Sequence, residues 1–534
     1  MKKHINNTAI FVLLVFLTMT SCAVDVWENH YNTKALNKSS LSLTQYIESQ
    51  DSLKIFSKML KISGYDTILN VPQTYTVWAP TDNALKNINL SDTLTVKNTV
   101  MNHITRFLRS TSGLNSMTMH LLSNKYINFK KDAGGYSFGN QMLVGSKSDV
   151  ATKNGILHVI DGYVPYKLNV WELINSKSNN EALKFDSISA FLNTVSKYDF
   201  DEKNSIEIGT NKFGQSVYDS VKIFSNPVLN SIGALYNEDS LYTAIIPNNK
   251  AWKKAYDLIY SKYKSFGLDG GATQRARTQT ALVNNLIFRL PITDPSIYDS
   301  ITTTTGSKFK NPGYLFEGAT RLDLSNGYAY ITDSIRFKAA DTYQKKILIE
   351  AEDITYNRSA AYASLTLKSA LGTDFSEQVS EKYYVQVDPT TTSTTSTSVL
   401  FPIPNTLSGT YNIYCVFVPT SIVEADSKRV NKFKLYLSYL NVNGTQTNDA
   451  AVTAKNELSS TKSNAFAFST TAGAVTKVFV TKFTFPYCNL YTAGTSPSLI
   501  TTKLRVENAV KITDSAKDFD KSMRIDCIIL EPVQ

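Results

Sequence analysis

Tyr75-Thr76-Val77-Trp78-Ala79-Pro80-Thr81-Asp82-Asn83-Ala84-Leu85 has a second version in the same chain, Tyr242-Thr243-Ala244-Ile245-Ile246-Pro247-Asn248-Asn249-Lys250-Ala251-Trp252. Each reads as a short apolar strand ended by proline, which lacks the N–H a continuing ladder needs, followed by an Asp/Asn-capped helix start. Further on, Asn154-Gly155-Ile156-Leu157-His158-Val159-Ile160-Asp161 matches Asn326-Gly327-Tyr328-Ala329-Tyr330-Ile331-Thr332-Asp333, an Asn-Gly turn leading into an alternating strand. Upstream, Asp51-Ser52-Leu53 and Phe56 correspond to Asp186-Ser187-Ile188 and Phe191 on amphipathic helices. Helices interleaved with strands in two copies predict two successive α+β domains. The leading blocks lie closer together than the later ones, so the second copy carries an insertion, placed at about residues 199–240, whose polar texture and Asn226-Pro227 turn signal predict a loop or hairpin.

These blocks resemble the fasciclin domain. The proline strand Tyr75 to Leu85, the Asn102-His103 pair and the closing strand Asn154 to Val164 carry the resemblance, which bounds a first domain at residues 41–168. The second, at residues 169–342, diverges: Ile245-Ile246 replaces the aromatic and alanine, Asn285 aligns with His103, and Tyr330 stands for His158. The resemblance implies a ligand-facing histidine, His103, in the first domain. The competing reading is a buried ring satisfied by backbone groups, and the alternating apolar strand around His158 favours it.

Beyond about Asp341 the pattern changes to short alternating strands and Thr/Ser loops, predicting an all-β sandwich over residues 343–534. Its start, Ile349-Glu350-Ala351-Glu352, and its end, Arg524-Ile525-Asp526-Cys527-Ile528, resemble galactose-binding-like jelly rolls, including carbohydrate-binding modules. That resemblance implies a structural calcium on Glu350 and Glu352, since hard oxygen ligands suit the ion; two solvated strand-edge carboxylates are the alternative. Sugar binding needs exposed ring faces, and Tyr487 and Tyr491, flanking a loop segment, are the candidates. Residues 390–398 form a polar Thr/Ser stretch.

The N-terminus has Lys2 and Lys3, an apolar run from Ala9 to Leu17, and small residues before Cys22. A spanning helix needs roughly 20 apolar residues, so residues 1–21 read as a signal peptide. The approach to Cys22 resembles a lipobox, implying lipidation of Cys22, attachment to a membrane through that lipid, and a tether over residues 22–40. Asp25 and Glu28 resemble the acidic export tag of surface-displayed lipoproteins, and Trp27 to Tyr31 resembles the start of fasciclin lipoproteins encoded beside outer-membrane import systems.

At 534 residues the chain is long enough for three domains, and 42% hydrophobic residues suffice for their cores. The formal charge of +10 includes Lys2 and Lys3 and is not gathered into a basic block, so no nucleic-acid partner is expected. Beyond Cys22, the cysteines Cys415, Cys488 and Cys527 are odd in number. Cys415 alternates with Ile413 and Phe417, and Cys527 with Ile525 and Ile529, as buried apolar residues do. The five histidines show no zinc or iron spacing, and no phosphate loop, nucleophile elbow or CxxC occurs, so no cofactor beyond the calcium is expected. The resulting expectation is a non-catalytic outer-membrane surface lipoprotein that binds glycan, peptide or protein as an accessory to a TonB-dependent importer. An adhesin acting between cells or on matrix is the second reading, and a hydrolase without a recognisable motif the third.

Overall fold

The computed structural model describes residues 37–70, 73–201, 203, 205–219, 222–390, 397–491 and 496–533. Cys22, the signal, Asp25, Glu28, the first part of the tether and the middle of the Thr/Ser stretch lie outside them. The chain divides into two compact units. The first comprises the chain to Leu173 with Leu235–Leu241 and Asp323–Gly327; the second comprises Ile174–Ala234, Tyr242–Leu322 and Tyr328–Gln534. Most of the second α+β repeat thus shares a compact unit with the sandwich, while Leu235–Leu241 and Asp323–Gly327 belong to the first unit.

In the first repeat the proline strand Tyr75–Pro80 is interior, parallel to the central closing strand Gly155–Ile160 and antiparallel to the edge strand Ile104–Arg106. Strands Val150–Thr152 and Asn37–Lys38 complete a five-stranded sheet. Both parallel strands are buried along their whole length, because each face has its own cover. Tyr75, Val77, Ala79, Leu157 and Val159 pack under helices that include Lys54–Ser63 and Thr93–Met101. On the other face Trp78 and Ile160 meet Phe129 and Phe138 from an antiparallel four-stranded sheet that begins at Ser116–His120. Trp78 stacks on Phe138 at 4.3 Å between ring centroids. Helix ends follow local chemistry. Ser42 and Gln45 form a reciprocal capping box on Leu43–Ser49, Asp92 caps Thr93–Met101, and Gly64 ends Lys54–Ser63 at φ +74°.

The second repeat has a four-stranded sheet ordered Ile287–Phe288, Tyr242–Pro247, Gly327–Thr332, Thr320–Leu324. Its insertion is a ribbon of two antiparallel pairs, Lys197–Phe200 with Lys222–Ser225, and Ile206–Thr210 with Ser216–Asp219.

The last third is a β-sandwich of a six-stranded and an eight-stranded sheet. The first sheet contains Tyr383–Pro389, Met523–Pro532, Gly409–Phe417 and Thr476–Phe485, with Ile347–Glu350 also pairing with Met523–Pro532. The second is built around Val430–Leu440. Their inward residues interdigitate in one apolar core, with Phe417 stacked on Phe433 at 4.1 Å. Cys415 lies in this core, as its alternation predicts. Cys527 does not: it belongs to a separate cluster with Val416 and Ile529, while Ile525 and Ile528 face the core. The cause is a bulge. Cys415 pairs with Ile528 and Phe417 with Ile525, so Asp526 and Cys527 together stand opposite Val416 alone, and the alternation resets.

Candidate binding sites

Of the three histidines in the first repeat, His120 is exposed, whereas His103 and His158 are fully buried. His103 Nδ1 lies 2.7 Å from the Thr99 carbonyl oxygen and must donate to it, while Nε2 accepts the Val164 N–H at 3.0 Å. His158 has the opposite tautomer: Nε2 donates to the Arg109 carbonyl at 2.8 Å and Nδ1 accepts the Asp149 N–H at 3.3 Å. Its ring stacks on Trp78 at 5.8 Å. Desolvation pushes the His103 pKa down to about 4 and also lowers that of His158. Both rings are therefore neutral, with both nitrogens used.

The second repeat shows what the closing-strand histidine does. Thr76 Oγ1 donates to the Phe107 carbonyl and accepts the Arg109 N–H. Thr243 Oγ1 does the same with the Leu290 carbonyl and the Ile292 N–H. This makes Ile292 the counterpart of Arg109. The Tyr330 hydroxyl, where His158 would be, donates to the Ile292 carbonyl at 3.0 Å, so an O–H replaces the imidazole N–H on the same backbone acceptor. The role that survives substitution is to hold the loop after the edge strand. The strand register also corrects one alignment. Thr105 pairs with Thr76 and Phe288 with Thr243, which places Leu286, not Asn285, at the position of His103 and makes Asn285 the counterpart of Asn102. The second repeat still lacks that imidazole.

In the sandwich, Glu350 ends the first strand opposite Cys527, beside the bulge. Glu350 Oε1 accepts the Ser380 hydroxyl at 2.6 Å, and Asp526 Oδ1 accepts the Ser380 N–H at 3.0 Å. Ligand atoms of Glu350, Asp526 and Cys527 all lie within 4.8 Å of one another. Glu350 Oε2 and Glu352 Oε2 are buried with no hydrogen-bond partner, so these are not solvated edge carboxylates. Burial raises the pKa of Asp526 to about 7, helped by the Glu350 charge, and burial also raises those of Glu350 and Glu352. The crowded carboxyl groups of Glu350 and Asp526 suit a hard divalent cation, and Glu352, with an orphaned oxygen of its own, adds its charge to theirs. Cys527 Sγ belongs to the same group, and burial, with the Asp526 charge, raises its pKa. Asp526 and Ser380 were not foreseen. An acid inside the apolar run Ile525 to Leu530 was the available signal for Asp526; Ser380 arrives by topology alone.

Tyr487 is half-buried: its hydroxyl donates to the Val442 carbonyl at 2.9 Å and its ring meets the edge of Phe266 at 5.4 Å. Tyr491 packs edge-on against Tyr356, also at 5.4 Å. The two tyrosine rings therefore have different aromatic neighbours.

A family model for the fasciclin domain matches residues 51–164. This stretch is a fasciclin domain. The match runs from the helix region at Asp51 through the proline strand to the end of the closing strand, and fasciclin domains are non-catalytic binding modules. No curated protein matches the chain. Among solved structures it is similar to a FAS1 domain pair from the insect cell adhesion molecule Fasciclin I, at 14% identity and TM-score 0.21, covering 54% of this chain and 98% of that one. It is also similar to a xylan-binding domain of carbohydrate-binding module family 22, at 13% identity and TM-score 0.20, covering 35% and 92%. A family 11 module from Clostridium thermocellum, solved with a β-1,3-1,4-mixed-linked tetrasaccharide, is similar at 10% identity and TM-score 0.20, covering 35% and 96%.

Proposed function

We propose that the protein is a non-catalytic surface lipoprotein, anchored in the outer membrane through Cys22, that serves as a binding or scaffold component beside a TonB-dependent importer of glycan or peptide. The fasciclin domain at residues 51–164 carries the reading, because it is a binding kind whose two buried histidines, His103 and His158, are here consumed by backbone hydrogen bonds. The basic, apolar and Cys22 sequence of the N-terminus supports the anchor. Among the described residues no helix is long and apolar enough to cross a membrane. Glu350, Glu352 and Asp526 would hold a structural Ca²⁺ that fixes the bulged last strand to the first. The test is a pulldown of the intact lipoprotein from detergent-solubilised outer membrane. Recovery of a TonB-dependent transporter with an acylated Cys22 supports the reading; an acyl-free protein in the soluble fraction overturns it.

A further inference from the structure

The segment after the helix Asn249–Tyr260 is threaded into the sandwich. The Lys262 carbonyl accepts the Ser408 N–H at 2.9 Å, and the Lys264 carbonyl accepts the Cys488 N–H at 2.8 Å. Phe266 lies over Gly444, where φ is +73° and an added Cβ would stand 2.0 Å from the ring. These bonds set the helix Gly270–Val283 alongside the opening strand of the sandwich and leave a cleft of about 780 Å³ between them. That volume falls within the roughly 300–1,000 Å³ typical of ligand sites.

The cleft has three properties. Its charge is positive: among the described residues Arg277, Lys345 and Lys346 line it against one acid, Asp353. Arg277 spends one nitrogen on Ser265 Oγ at 3.0 Å and Cys488 Sγ at 3.1 Å, and among the described residues it has no carboxylate partner. Its wall offers an aromatic ring, Tyr356, held edge-on by Tyr491 at 5.4 Å. It also contains an unused acceptor, since the buried Asn284 Oδ1 has no hydrogen-bond partner. A ring for stacking, amide groups for hydroxyls, and an uncompensated guanidinium for an anion match one ligand chemistry.

We propose that this cleft binds a segment of an acidic polysaccharide, with a uronate carboxylate on Arg277 and Lys346 and a pyranose face on Tyr356. The inference rests on the binding-protein reading above and names its ligand class. It also makes Tyr491 a support for the stacking ring.

The test titrates the chain beginning after Cys22 with oligogalacturonate, a neutral cello-oligosaccharide and poly-glutamate. Oligogalacturonate binds, weakens with salt, and loses at least about tenfold in affinity in Arg277→Gln and in Tyr356→Ala. Lys346→Gln, at an exposed position, keeps the test decisive should Arg277→Gln fail to fold. Uronate binding unchanged in all three variants overturns the cleft, as does neutral sugar bound equally well. Poly-glutamate binding as tightly as uronate overturns the sugar assignment. If instead the chain retains no glycan and the pulldown retains no partner, the binding reading itself fails.

Discussion

Asn154 and Asn326, which precede the closing strands of the two repeats, make the same pair of backbone hydrogen bonds. Asn154 Oδ1 accepts the Leu43 N–H at 2.8 Å and Nδ2 donates to the Leu69 carbonyl at 2.6 Å. Asn326 Oδ1 accepts the Val170 N–H at 3.0 Å and Nδ2 donates to the Leu235 carbonyl at 2.9 Å. In each copy one amide bridges a helix start to a chain reversal, which explains why the Asn recurs where its neighbours differ. Replacing either by Ala leaves a donor and an acceptor unpaired. The expected loss is about 2 kcal/mol, larger at the fully buried Asn326 than at half-buried Asn154, read by chemical denaturation.

The buried imidazoles set an acid limit on the fasciclin domain. An unfolded histidine takes up its proton near pH 6.5, whereas buried His103 does so near pH 4. Between those values the unfolded state binds more protons, so stability drops as the pH is lowered, by about 1.4 kcal/mol per unit for each such ring, and is flat above that range. His158, shifted in the same direction, adds to the slope. Denaturation midpoints at pH 7.5, 5.5 and 4.5 check this, and a midpoint independent of pH below 6 contradicts it.

The repeat was legible because its signals are local. A proline ending a strand, an Asp or Asn after it and an Asn-Gly turn state their geometry within a few residues. Asp82 Oδ1 accepts the Ile55 N–H, as Asn249 Oδ1 accepts the Ser187 N–H, so even the first helical residue after each proline strand repeats its distant contact, the caps themselves being Thr81 and Asn248. What periodicity could not show was any place where register changes. The bulge at Asp526-Cys527 flips Cys527 away from Ile525, and only pairing with Gly409–Phe417 reveals it. Likewise Glu350 was marked by its own motif, whereas Ser380 meets it from a turn thirty residues on, where Glu381 and Lys382 have positive φ.

Trp78 and His158 should behave as a coupled pair. They face one another across paired strands, and in the second repeat the same positions are Ile245 and Tyr330. His158→Tyr alone forces a longer side chain against the Trp78 and Phe129 rings and costs about 1–3 kcal/mol. Adding Trp78→Ile opens the space that the second repeat provides, so the double variant should be more stable than the sum of the single losses allows. A double-mutant cycle by urea denaturation measures the coupling, and simple additivity would show that the two positions do not share one space.

Lys125 tests a different kind of burial. Its ammonium, almost wholly enclosed, lies 2.7 Å from Glu172 and 2.6 Å from Glu238 and donates to Ser325 Oγ at 3.1 Å. The Tyr166 hydroxyl donates to Glu172 at 2.6 Å. Lys125→Met fills similar volume but leaves two carboxylates without their cation, at an expected cost of about 3–5 kcal/mol. Because a lone surface ion pair is worth at most about 1 kcal/mol, a loss that small would show that Lys125 is solvated in solution.

The carboxylate cluster gives a prediction with two opposed pH dependences. Without a cation, Asp526 has a folded pKa of about 7 against an ordinary value of 3.8, so its contribution to stability is greatest in acid and is lost as pH rises through about 7. With Ca²⁺ the order reverses, because the ion binds deprotonated carboxylates and protons compete with it. Calcium should therefore raise the melting temperature more at pH 8 than at pH 6, and chelation should lower it most at pH 8. In Asp526→Asn or Glu350→Gln the calcium response disappears, while the cation-free protein becomes more stable at pH 8 because a crowded charge has gone. A melting temperature indifferent to calcium at pH 8, with Asp526→Asn still stabilising, would identify the trio as carboxyl groups sharing protons and not as a metal site.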